Sequence, residues 1–95
     1  MALPLPDSED HLVDVGAGTG KLARAIGRAY PRLGWVRLVE PNETTLERAV
    51  ARVREVLPDA EVRGYPLAVG REDDLPKIEA SLVTIGNVFM PMMEL

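Results

Sequence analysis

The residues with the greatest chemical potential in this 95-residue chain fall within eight positions, Asp14-Val15-Gly16-Ala17-Gly18-Thr19-Gly20-Lys21. Three glycines at alternate positions let a backbone turn sharply and approach a ligand with no Cβ in the way. The free N–H groups of a following helix would face that ligand. A phosphate loop needs G-x-x-x-x-G-K-S/T. Gly20-Lys21 suits it, but Val15 stands at the first glycine position and Leu22 at the magnesium-binding hydroxyl. A dinucleotide fingerprint, G-x-G-x-x-G, fails once, because Lys21 stands at its third glycine. An acid-x-G-x-G-x-G pattern is met at all its fixed positions, by Asp14, Gly16, Gly18 and Gly20. Glu40 lies twenty residues past Gly20, where open α/β folds place an acid against two ribose hydroxyls. His11, the only histidine, stands at the start of the first strand, away from the carboxyl edge where ligands bind, and is expected to be solvated.

Elements able to position these groups are legible around them. His11 to Val15 reads as a buried strand entering the glycine turn. From Thr19 to Tyr30, an apolar face of Leu22, Ala23, Ile26, Ala29 and Tyr30 predicts a helix that Pro31 ends. Trp35 to Val39 is a second strand, with Trp35, Arg37 and Val39 on one face and Val36 and Leu38 on the other. Asn42 caps a second helix, with Leu46, Ala49, Val50, Val53 and Leu57 as its apolar stripe and Pro58 as its stop. Ala60 to Arg63 and Ser81 to Ile85 read as strands three and four, joined by a long, poorly helical crossover. The order β-α-β-α-β-loop-β predicts an α/β domain with a parallel, twisted sheet. Residues 1–10, rich in proline and acid, read as a flexible leader, and residues 11–95 as one domain.

Composition narrows the partners. A net charge of -4, from 11 basic and 15 acidic side chains, argues against a dominant electrostatic grip on nucleic acid or anionic lipid. The absence of cysteine removes disulfides, thiolate metal sites and thiol nucleophiles. No signal-like start and no apolar run of about 18 residues is visible. A soluble, unprocessed, cytoplasmic protein without a metal is the resulting expectation.

On Asp14, Gly16, Gly18 and Gly20 the chain resembles the class I S-adenosylmethionine-dependent methyltransferases of the small-molecule type. The resemblance runs from about Leu12 to Phe89. It includes Leu38-Val39-Glu40-Pro41-Asn42, similar to the acidic strand end of these enzymes, and Gly70-Arg71-Glu72-Asp73-Asp74-Leu75-Pro76, similar to the stretch that addresses adenine. It implies a Rossmann-like sheet of about four strands in the order 3-2-1-4, incomplete beside the family's seven strands. It also implies S-adenosyl-L-methionine as cofactor. Gly16, Gly18 and Gly20 would cradle it, Asp14 would help hold the turn and the ammonium end, and Glu40 would bind the ribose. Asp73 and Asn87 would be further polar contacts. Arg71 stands where relatives carry the adenine-binding acid, Ser81 where they carry aspartate, and Met90 where they carry histidine, so no catalytic base is assigned. The resemblance implies methyl transfer to an unidentified acceptor in a complete form, with little turnover for these 95 residues alone. The alternatives are a non-enzymatic remnant or partner-dependent module, and a nucleotide-binding protein. Strand four, if it is an unpaired apolar edge, would favour self-association.

Overall fold

The computed structural model describes residues 10–67, 82–85 and 88–91. Its elements run β1 (His11–Val15), α1 (Lys21–Ala29), β2 (Trp35–Val39), α2 (Glu43–Val56), β3 (Glu61–Tyr65), β4 (Leu82–Ile85) and β5 (Val88–Pro91). They form one sheet in the order β3-β2-β1-β4-β5. The first three strands and β4 are parallel, and β5 returns antiparallel to β4. The expected order 3-2-1-4 is therefore present, with one strand more.

Helix boundaries follow local chemistry. Gly20 has φ 82°, a left-handed conformation that cannot continue a right-handed helix, so α1 begins at Lys21 rather than at Thr19. Each helix stops before a proline, because the pyrrolidine ring disfavours helical angles in the residue ahead of it. Tyr30 (φ -130°, ψ 73°) and Leu57 (φ -129°, ψ 67°) both show this, and their N–H groups close the last turns on the carbonyls of Ile26 and Val53. Asn42 caps α2 as expected, its side chain accepting from Thr45 N at 2.9 Å.

Both helices pack on one face of the sheet. There Leu12, Val36, Leu38 and Val62 meet Ala23, Leu46, Ala49, Val53, Leu33 and Leu57 in a continuous core. The stripe of α1 is narrower than expected, since Ala29 is exposed and Gly27 is buried. On a 3.6-residue helix Gly27 lies about 40° from Ala23, whereas Ala29 lies about 120° away. Gly27 lets the helices touch: a Cβ there would come within 2.9 Å of Leu57 Cδ1. Gly64 does the same beneath α2, where a Cβ would meet Leu46 Cγ at 2.9 Å. β3 runs past Arg63, with Gly64 and Tyr65 pairing opposite Leu38 and Val39.

Alternation puts His11, Val13, Val15, Trp35, Arg37, Val39 and Tyr65 on the opposite face. His11 stacks on Trp35 (ring centroids 5.0 Å apart, planes 2° from parallel), and the Arg37 guanidinium lies over Trp35 and Tyr65 while donating to Tyr65 Oη at 2.5 Å. The expectation of a solvated His11 is thus corrected. Burial, and next the charge of Arg37, hold its pKa below the ordinary 6.5, with Asp10 opposing them.

The expectation of β4 as an unpaired edge is corrected too. Its residues pair with β1 on one side and with β5 on the other, Leu82 opposite Pro91 and Ile85 opposite Val88. The apolar run Val88 to Met90 has the β propensity to extend the sheet, and a proline is compatible with a strand at a sheet's margin. Among the described residues the outer strands are β3 and β5.

Candidate functional site at the glycine turn

The carboxyl ends of β1 and β2 carry the site. Gly16, Gly18 and Gly20 all have positive φ (74°, 56° and 82°), so all the alternating glycines are used for their conformational freedom. Space separates their roles. A Cβ on Gly20 would lie 2.9 Å from Ala49 Cα, so this glycine lets the turn seat against α2. A Cβ on Gly18 would meet nothing within 4 Å, so this position borders open space.

Hydrogen bonds fix the turn to the neighbouring strand. Gly16 N and Ala17 N both donate to Val39 O, at 2.8 and 2.9 Å, and Gly20 N donates to Ala17 O at 3.0 Å. Glu40 completes the set. Its Oε1 accepts from Gly18 N and its Oε2 from Asn42 N, each at 3.0 Å, so one carboxylate ties the β1–α1 turn to the start of α2. Arg52 on α2 reaches Thr19 Oγ1 with a long contact of 3.4 Å. Among the described residues no side chain makes a capping hydrogen bond at the start of α1.

Asp14 lies two residues before Gly16 and is only 2% exposed. The parallel register of β1 and β4 sets it opposite Thr84, whose hydroxyl donates to Asp14 Oδ1 at 2.6 Å. Asp14 Oδ2 is buried and has no hydrogen-bond partner among the described residues. Burial pushes the Asp14 carboxyl above its ordinary pKa, and the Thr84 hydrogen bond partly opposes that. The carboxylate that holds the turn by hydrogen bonding is Glu40, while that of Asp14 is held from β4.

Of the residues singled out from sequence, Asp14, Gly16, Gly18, Gly20 and Glu40 gather at this one sheet edge. Asp73 and Asn87 lie outside the described residues, as do Ser81 and the stretch from Gly70 to Pro76. Thr84 and Arg52 are additions that sequence reading missed. A threonine within an apolar strand is a weak signal, and only the register shows that it faces the acid. A depression of 420 Å³ beside α2 and β3, lined by Leu46, Glu47, Val50, Ala51, Arg54 and Gly64, shares no residue with the turn. No group of three or more His, Cys, Asp or Glu side chains placed to hold a metal occurs among the described residues. Among them no helix is long and apolar enough to cross a membrane.

A parallel sheet in the order 3-2-1-4, with a glycine-rich turn after its first strand and an acid after its second, is a Rossmann-like α/β arrangement. Within that class, the chain is similar in structure to a Thermoplasma acidophilum protein given a provisional methyltransferase assignment, with a TM-score of 0.64 and 24% sequence identity. The match covers 83% of this chain and 33% of the other, so the chain spans about a third of that protein's length. At this identity the likeness establishes the fold. No protein-family model matches the sequence, and no curated protein matches it.

Proposed function

We propose that the glycine turn binds S-adenosyl-L-methionine, and that these residues form the cofactor-binding part of a methyltransferase-like domain. The observation carrying this reading is the turn itself: three positive-φ glycines, open space at Gly18, and an acid on each side in Asp14 and Glu40. S-adenosylmethionine bears a cationic sulfonium and an ammonium and has no phosphate, so flanking acids favour it. The same acids oppose the nucleotide reading, since Glu40 Oε1 already occupies the Gly18 N–H that a phosphate would use, and a phosphate beside it would be repelled.

The donor set fits the cofactor. Asp14 Oδ2 is a buried acceptor without a donor among the described residues, and an ammonium is the complementary donor for a carboxylate. Glu40 accepts one N–H on each oxygen, and each carboxylate oxygen has a second lone pair that a ribose hydroxyl can use. Gly18 leaves room for close approach of the ligand to the backbone. Asp73 and Asn87 remain proposed further contacts. When bound, S-adenosylmethionine supplies an electrophilic methyl group; this chain's residues bind and orient it. Transfer to an acceptor then depends on holding that acceptor in line with the methyl carbon. Binding is the step assigned to the residues at this turn.

Isothermal titration of the folded chain tests the proposal. Saturable heat with S-adenosylhomocysteine and none with ATP is the expected result; heat with ATP alone would move the assignment to a nucleotide site, and heat with neither would favour a module without a ligand.

A further inference from the structure

The geometry points to Thr84 as a positioning residue that orients the Asp14 carboxylate so that one oxygen is reserved for a cationic ligand group. This rests on the cofactor reading above and deepens it at one end of the site. The three relevant observations are independent of the glycine pattern. Thr84 is fully buried, Asp14 is nearly so, and the hydroxyl-to-carboxylate hydrogen bond between them is 2.6 Å long. That length lies in the range of a charge-assisted bond from a hydroxyl to a carboxylate, and it holds Oδ1 toward β4. Its companion oxygen, Oδ2, has no donor among the described residues.

A buried, half-satisfied carboxylate is costly, and in a folded protein such a group calls for an explanation. A structural role would be served more cheaply by an apolar residue or by an amide. Here one oxygen is satisfied from β4 and the other, buried two residues before the glycine turn, has no donor among the described residues. That asymmetry suits a donor arriving with a ligand, and the complementary donor for a carboxylate is an ammonium. Without the Thr84 hydroxyl, Oδ1 would compete with Oδ2 for the incoming donor.

The test separates the amino-acid end of the ligand, which carries the ammonium, from its nucleoside end. S-adenosylhomocysteine carries the ammonium, whereas 5′-methylthioadenosine keeps the nucleoside and sulfur but lacks the amino-acid end. Both are titrated into the full chain and into Thr84→Val, which preserves volume and removes the donor. We expect Thr84→Val to lower affinity for S-adenosylhomocysteine about tenfold, the scale of one hydrogen bond to a charged group. Affinity for 5′-methylthioadenosine should stay within about twofold of wild type, because the lost bond acts only through the carboxylate. Thr84→Ser, which restores the donor, should recover most of the selectivity. In an Asp14→Asn background the Thr84→Val change should have no further effect on the ratio of the two affinities. If Thr84→Val does not fold, Thr84→Cys, a weaker donor of similar volume, should show a loss of about threefold confined to the ammonium-bearing ligand. Equal loss for both ligands would make Thr84 a packing residue and overturn the proposal, as would no loss for either. Wild-type protein that binds neither ligand would overturn the cofactor reading itself, and with it this assignment.

Discussion

Alanine at Gly18 and alanine at Gly20 should have opposite consequences, although the two glycines stand two residues apart on one turn. Gly20 has φ 82° and a hypothetical Cβ 2.9 Å from Ala49 Cα, with Ala49 Cβ and O each at 3.1 Å. A left-handed conformation costs a non-glycine residue roughly 1–2 kcal/mol. Forcing a methyl against helix backbone, which cannot rotate away, adds about 1–3 kcal/mol. Gly20→Ala should therefore cost about 3 kcal/mol, a large fraction of the roughly 5–14 kcal/mol available to a domain of this length. Gly18 has φ 56° and nothing within 4 Å of its Cβ position, so Gly18→Ala carries only the conformational cost of about 1 kcal/mol. Its methyl would project into the space assigned to the ligand, and affinity for S-adenosylhomocysteine should fall about tenfold or more. Urea unfolding with linear extrapolation measures the first quantity, and titration calorimetry the second. Equal destabilisation by the two variants would refute the role given to Ala49. Undiminished binding by folded Gly18→Ala would show that the ligand does not approach the turn there.

Glu40→Ala removes acceptors from Gly18 N and Asn42 N and should cost about 2 kcal/mol of stability, with the part-buried Gly18 bond contributing more than the exposed one. Glu40→Gln should cost about half of that, because an amide offers one acceptor where two N–H groups need one each; unfolding midpoints equal to wild type for both variants would reduce Glu40 to a surface residue. Asp14→Asn should stabilise the ligand-free chain at neutral pH while weakening S-adenosylhomocysteine binding. Burial raises the Asp14 pKa, so the folded state binds more protons than the unfolded one above the ordinary value of 3.8, and stability falls as pH rises through that window. Denaturant titrations between pH 3 and 7 should show a shallower fall for the variant, and parallel curves would refute the assignment. His11 acts with the opposite sign: its lowered pKa means that stability is lost as pH falls below about 6.5, a dependence that His11→Phe should flatten in the same titrations.

Much of this arrangement was legible in the sequence because its signals are local. The positive-φ glycines, Asn42 as a cap, and the stops imposed by Pro31 and Pro58 each depend on a few adjacent residues. Glu40 was found by its distance from the turn, yet its two amide bonds were not, since they depend on how closely β2 lies beside the glycines. What stayed hidden arises from pairing between distant segments. Thr84 meets Asp14 across 70 residues of chain, and Gly27 is buried only because Leu57 arrives against it. The pairing of β5 with β4 escaped for a similar reason: Val88 to Pro91 has strand-like composition, but a terminal proline weakens that reading until the strand's marginal place in the sheet is known.

The tying of the glycine turn to the end of β2 also bears on how fast a ligand could be captured. Glycines ordinarily leave a loop with many conformations to surrender on association. Here the N–H groups of Gly16, Ala17, Gly18 and Gly20 are each already engaged, so most of that entropy is lost when the chain folds. These four amides should accordingly exchange slowly with solvent deuterium, as if they belonged to regular secondary structure. Encounter with a ligand would then meet a finished surface, with an association rate set by diffusion and orientation and free of a slow loop-closing phase.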